Sequence, residues 1–176
     1  MIDENRKRLA KSNFDIYLQD ELIKKAKNPI AKQMYQKNAE LSLNTAAELM
    51  KSELKPHLWI IVVSYYSMFY AANSVLLHLG YKVGDKIVHK VTNESLIVLV
   101  LHRLSKKLLE NYENARNDAM EIASFKAEAI IEGYGYELDK RSKFQYEMLE
   151  ETKANKAKTS FERAKEFLFE MKKLMK

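Results

Sequence analysis

An all-α, up-and-down bundle of about five to six helices is the fold class this sequence predicts, and three observations carry the prediction. Glycine and proline are scarce, with four Gly and two Pro in 176 residues. So few chain breakers favour long helices and disfavour sheet-rich folds. The stretch Leu58 to Leu79, LWIIVVSYYSMFYAANSVLLHL, holds no Lys, Arg, Asp or Glu, and Pro56 and Gly80 flank it. Proline tends to open a helix and glycine to close one. An apolar run of this length is either a membrane span or a bundle's central helix. Tyr65, Tyr66, Tyr70 and Asn73 need hydrogen-bond partners, which a bundle supplies and hydrocarbon does not. The central-helix reading follows, with no membrane partner. Third, the remainder is charged amphipathic sequence, with 31% charged and 47% hydrophobic residues overall. That is what a buried central helix needs around it.

The elements follow in order. Ser12-x-x-Asp15 reads as a capping box that starts a first helix bearing Phe14, Tyr17, Leu18, Leu22 and Ile23. Asn28-Pro29 ends it, because a residue before proline avoids the helical region. Pro29 then opens the second helix, with Ala39, Leu43, Ala46 and Met50 on one stripe and Ala47 and Leu54 beside it. Small residues on that stripe allow close approach to a neighbour. Lys55-Pro56 is the next break, before the central helix. GYKVGDK, from Gly80 to Lys86, is the clearest loop. A fourth helix starts near Lys86 and holds the apolar block Leu96 to Leu101. Helical pattern continues beyond His102 to Lys126 or Glu132, with one bend expected. Gly133-Tyr-Gly135 is a second loop, followed by a short helix over Leu138 to Leu149. The last helix runs from Thr152 to Lys176. Its Ala154, Ala157, Phe161, Ala164, Leu168, Met171 and Met175 form a seven-residue repeat on one face, suited to packing along another helix. Thr159-x-x-Glu162 is another capping-box pattern, but the stripe begins before it, so a continuous helix is expected.

One domain over residues 1–176 is expected, long enough for a sizeable core. The chain has no cysteine, which excludes disulfides, thiolate zinc sites and thiol nucleophiles. The first twelve residues are charged and lack the apolar stretch of a secretory signal, so a cytoplasmic protein is expected. Net charge is +6, with +3 in residues 1–55, zero in 56–136 and +3 in 137–176. Mildly basic ends permit an RNA or phosphate partner and also fit a solvated Lys/Glu surface. The histidines His57, His78, His89 and His102 show no metal-ligand spacing, and no phosphate-binding glycine loop or serine-nucleophile motif occurs. No metal and no cofactor are expected.

Three pieces share an order and spacing with a known family. They are Leu43-x2-Ala46-x2-Leu49; then Tyr65-Tyr66-Ser67-Met68-Phe69-Tyr70-Ala71-Ala72 with Leu76-Leu77, Gly80-Tyr81 and His89; then Arg141-x4-Tyr146 with Ala157, Ala164 and Phe167. Together they resemble the HEPN superfamily, in its prokaryotic branch with a YYAMFHAA-like central helix. The resemblance covers residues 35–175, and the helix within residues 1–28 looks like an addition. It implies a helical bundle that commonly dimerises. Many such domains are metal-independent ribonucleases using an Arg-x4–6-His motif near the dimer cleft. Others bind nucleotide or RNA without catalysis, or pair with a minimal nucleotidyltransferase in two-gene toxin–antitoxin systems.

At the matching place this chain reads Arg141-Ser-Lys-Phe-Gln-Tyr146, with tyrosine where the histidine would stand. A neutral imidazole takes a ribose 2′-hydroxyl proton near pH 7, whereas a phenol with a pKa near 10 does so poorly. Arg141 still suits a phosphate, and Arg141 with Tyr146 also reads as a structural pair bracing the bundle. The leading expectation is therefore a non-catalytic HEPN-type homodimer that binds RNA or nucleotide, or pairs with a nucleotidyltransferase. A divergent ribonuclease using Arg141 with Tyr146 or His89 is the alternative; a purely structural bundle using its heptad face is a third. Candidate ligand residues are His89, Lys82, Lys86, Tyr66, Tyr70 and Asn73. His89 also reads as a loop-bonding imidazole, and the central-helix residues as satisfied core.

Overall fold

A computed structural model describes residues 2–132 and 150–176, with side chains over 2–122 and 152–176. The elements are α1 (Glu4–Gln19), β1 (Ile23–Lys25), α2 (Pro29–Lys51), α3 (His57–His78), β2 (Tyr81–Val83), α4 (Val88–Leu99), a 3-10 turn (Leu101–Arg103), α5 (Lys106–Glu132) and α6 (Glu150–Lys173). The chain is an all-α bundle carrying one two-stranded ribbon.

Helix α3 is the centre. Tyr65, Met68, Ala72, Val75 and Leu76 on it are fully buried, and burying each large side chain contributes roughly 1.5–3 kcal/mol. By length and composition α3 is apolar enough to cross a membrane, yet 78% of its most apolar window lies inside the bundle. Helix α2 runs antiparallel against it at close range. Ala39 and Ala46 are fully buried, and Ser67 Oγ donates to Ala39 O at 2.8 Å. Small side chains on both helices permit that approach, as expected. The expected flank of the α2 stripe is not covered, since Leu54 is 90% exposed. Helix α6 lies parallel to α3, with Ala157 against Ile60 and Ile61 and Met175 Sδ accepting from Ser74 Oγ at 3.2 Å. The heptad face of α6 is therefore spent inside the bundle, with Ala157, Ala164 and Met171 fully buried.

Several boundaries differ from the sequence expectation. Helix α1 starts eight residues before Ser12–Asp15, because Asp3 accepts from Arg6 N at 2.7 Å and caps it. Ser12 and Asp15 sit mid-helix, where Asp15 pairs with Lys11. Helix α1 also stops at Gln19 rather than Asn28, since the chain turns at Glu21 (φ 57) into β1. Asn28 does cap α2, accepting from Ala31 N, with Pro29 in the first turn. The expected loop after Gly80 contains β2, antiparallel to β1 with Lys24 opposite Lys82. Gly80 takes φ +86, open to glycine but strained for other residues. Gly84 packs against backbone, where an added Cβ would meet Leu22 O at 3.3 Å. The chain breaks at Val100–Ser105: α4 ends, a 3-10 turn follows, and Ser105 Oγ accepts from Leu108 N to start α5. This break lies at the very start of the stretch beyond His102 where a bend is expected, and α5 is one helix over the rest of it. The short helix expected over Leu138 to Leu149 lies outside the described residues.

One core cluster draws on every helix, from Ala10 and Phe14 of α1 to Phe167 and Met171 of α6. Helix α1 is fastened to α4 and α5 by a polar knot. Glu94, only 3% exposed, accepts from Arg6 Nη1 (2.9 Å), Asn13 Nδ2 (2.9 Å) and Tyr17 Oη (2.6 Å). Glu113 accepts from Arg6 Nη2 at 3.1 Å and Asn93 Nδ2 at 2.8 Å. Burial opposes the Arg6 charge, but its bonds to Glu94 and Glu113 outweigh that and raise its pKa.

Candidate nucleotide-binding face

The site is built from the helical repeat of α3. Tyr66, Phe69 and Tyr70 stand three and four residues apart and so share one face. Tyr65, one turn before Phe69, is fully buried at the inner edge of this face. The first turn of α4 lays His89 across this face. Its ring centroid lies 4.6 Å from Phe69, 5.5 Å from Tyr65 and 6.0 Å from Tyr66. Its Nδ1 is 2.7 Å from Tyr65 Oη. The rings continue outward, Tyr66 to Tyr70 (6.0 Å) and Tyr70 to Tyr35 of α2 (6.1 Å, stacked). Inward, Tyr65 meets Tyr112 of α5 (5.9 Å), which stacks on Phe167 of α6 (5.1 Å). The series grades from fully buried Phe167, Tyr112 and Tyr65 to half-buried His89, Phe69, Tyr66, Tyr70 and Tyr35.

The electrostatics fix the imidazole's state. Burial lowers the His89 pKa, and the nearby Arg116 charge lowers it further. The imidazole is therefore neutral near pH 7. Burial raises the Tyr65 pKa, so its phenol keeps its proton, and it shares one hydrogen bond with Nδ1. The other ring nitrogen, Nε2, has no hydrogen-bond partner among the described residues. A neutral imidazole presents one donor and one acceptor nitrogen, and the tautomer sets which of the two Nε2 offers to a ligand. Burial pushes the Tyr112 pKa well up, and its buried neighbour Tyr65 raises it further.

No protein family, no curated protein and no solved structure matches this chain.

Of the residues singled out from sequence, the structure brings together Tyr66, Tyr70 and His89. Lys86 is exposed, three residues before His89 in the turn leading into α4. Lys82 stands on the ribbon opposite Lys24, and no contact joins it to His89. Asn73 is committed to the core: it is 3% exposed, and its Nδ2 donates to Phe69 O at 2.9 Å and Thr92 Oγ1 at 3.3 Å. Arg141 and Tyr146 lie outside the described residues. No group of three or more metal-ligating side chains gathers among the described residues.

Sequence reading missed Arg116, Phe69 and Tyr35 as site residues. Phe69 was open to inference, standing three residues from Tyr66 on the same helical face. Arg116 follows Tyr112 by one helical turn, but nothing local tells which core aromatics Tyr112 meets. Tyr35 joins only through packing of α2 on α3.

Proposed function

We propose that this chain is a non-catalytic HEPN-type module that binds RNA or nucleotide on the α3 face. The half-buried rings Tyr66, Phe69, Tyr70 and Tyr35 around His89 carry the reading. Aromatic faces left open to solvent beside cations suit stacked nucleobases with phosphates close by. Arg116 supplies positive charge beside His89, and the exposed Lys86 and Lys90 flank His89 in sequence. Tyr146, standing where the ribonuclease motif has histidine, supports binding over general-base catalysis. In the test, fluorescence anisotropy follows a labelled single-stranded RNA at 0.1 M salt. Stacking contributes roughly 1–3 kcal/mol per base, so Tyr66→Ala is expected to weaken binding about 5- to 150-fold. Equal affinity of wild type and Tyr66→Ala would overturn the reading. Metal-free cleavage of the same RNA by the wild type would replace binding with catalysis.

The first half of the same face favours a companion reading, self-association. Trp59 is 53% exposed, and Val62 and Val63 are half-buried. With Tyr66 and Tyr70 they continue a stripe of α3 without a charged side chain. A second copy of this chain, pairing stripe to stripe, would cover Trp59, Val62 and Val63 and leave the His89 end open to ligand.

A further inference from the structure

The seam between α5 and α6 changes character along its length. At one end Tyr112 and Phe167 stack and close it. Toward the start of α6 it opens into a groove of about 590 Å³. From α5 the groove takes Asn114, Asn117 and Asp118, and from α6 Asn155, Lys156 and Arg163, with hydroxyls of Thr152, Thr159 and Ser160 between them. On each helix these positions are three or four residues apart, so two continuous polar stripes face one another. A seam between neighbouring helices ordinarily buries apolar side chains. Here the described lining residues are all polar or charged.

The chemistry of the lining narrows the ligand. Lys156 lies 3.8 Å from Asp118, a loose pair. Arg163 has no acidic partner among the described residues, so the described lining carries one net positive charge. Carboxamides and hydroxyls both donate and accept, which suits vicinal hydroxyl groups. A free guanidinium suits a phosphate. Among the described lining residues no aromatic or branched aliphatic side chain offers a nucleobase or acyl chain a flat wall.

Its position links it to the α3 face. The Arg116 side chain donates from Nε and Nη2 to Asn117 Oδ1, at 3.3 and 2.9 Å. The same guanidinium charge acts on His89 and Tyr65. Arg116 therefore stands between the aromatic face and the polar groove.

We infer that the α5–α6 groove binds a ribose phosphate, with Arg163 on the phosphate and Asn114 and Asn155 on the ribose hydroxyls. The inference rests on the proposed RNA or nucleotide binding and adds where the sugar and phosphate of that ligand lie. A free ribonucleotide and an RNA strand present the same chemistry, and the test separates them.

The experiment compares a labelled RNA decamer, its DNA counterpart and adenosine monophosphate on the wild type, Asn155→Ala, Arg163→Ala and Tyr66→Ala. All three replaced side chains are exposed or half-buried on helices, and circular dichroism melts check that each variant folds. The wild type is expected to prefer RNA over DNA, because the amides read the 2′-hydroxyl. Asn155→Ala is expected to lose that preference while keeping its DNA affinity. Arg163→Ala is expected to weaken RNA and DNA alike and to reduce the slope of log affinity against log salt by about 0.7. Tight monophosphate binding lost in Arg163→Ala assigns the groove to a free ribonucleotide; binding of the decamer alone assigns it to a strand. If Asn155→Ala and Arg163→Ala bind RNA as the wild type does while Tyr66→Ala does not, the groove inference falls and the α3 face stands. If the wild type binds none of the three ligands, both fall.

Discussion

Glu94 shows at the scale of one residue how this bundle tolerates a buried carboxyl group. Three donors from α1 converge on its two oxygens. Glu94→Ala leaves Arg6, Asn13 and Tyr17 without that acceptor in a closed site. Loss of one partner of a buried pair costs about 3–5 kcal/mol, and chemical denaturation is expected to report a loss in that range. Glu94→Gln keeps the volume and one acceptor, so its loss should be smaller. His89 gives a pH dependence whose sign follows from its lowered pKa. In the unfolded chain the imidazole protonates near 6.5, whereas in the fold it resists protonation to lower pH. Between those two values the unfolded state binds more protons, so stability rises with pH. The His89 contribution is complete above about 6.5 and is lost as pH falls toward the folded value. Thermal melts from pH 7.5 down to 5.5 should fall more steeply for the wild type than for His89→Gln; parallel curves would show that His89 is not the group responsible. The α3 face itself was half legible. Tyr66 and Tyr70 stand one turn apart in plain sequence, and the family resemblance pointed to His89. Arg116 was not legible, because its role comes from Tyr112 meeting Tyr65 across a fold that brings residues 65 and 112 together.

Elements with a local stop signal were readable and those without one were not. Pro29, Pro56 and Gly80 mark the ends of α2 and α3 because each acts on its own backbone. The ribbon strands have three residues each, too short for an alternating pattern to emerge. The break after α4 falls inside the apolar block Leu96–Leu101, where hydrophobicity alone gives no reason to stop. Ile87 is an unusual start for α4. It takes φ 42 and ψ 35, left-handed values that disfavour a β-branched side chain, and it is 54% exposed. Left-handed backbone costs such a residue roughly 1–2 kcal/mol, and asparagine tolerates it better. Ile87→Asn is therefore expected to stabilise the protein by about 1 kcal/mol, read as a higher urea midpoint at unchanged slope. Ala39 tests the opposite case: Ala39→Leu forces a larger side chain into the α2–α3 contact, and overpacking of this kind costs about 1–3 kcal/mol.

For the whole molecule, the proposed self-association puts the charge-free stripe on α3 between two copies. Light scattering is expected to give twice the 20.6 kDa chain mass at micromolar concentration. Val63→Lys places a charge in that stripe and should return the mass to a single chain without lowering the melting temperature. A single-chain mass for the wild type would leave the stripe to ligand alone. The architecture was legible because α6 carries its seven-residue stripe openly; that the stripe lies along α3, and not on a second molecule, required the fold. The ribbon has a further consequence, in the order of folding events. Helices α2 and α3 are neighbours in sequence and form a hairpin of low contact order, which favours early formation. Residues 23–25 and 81–83 lie beyond the two ends of that hairpin, so they meet only once α3 has turned back along α2. Two amides outside the strands report that moment: Ala26 N donates to Gly80 O, and Gly84 N to Leu22 O. In pulsed hydrogen exchange during refolding, these two should gain protection together and after the middle of α3, so that a two-stranded ribbon too small to stabilise much serves as the clock for closure of the helical hairpin.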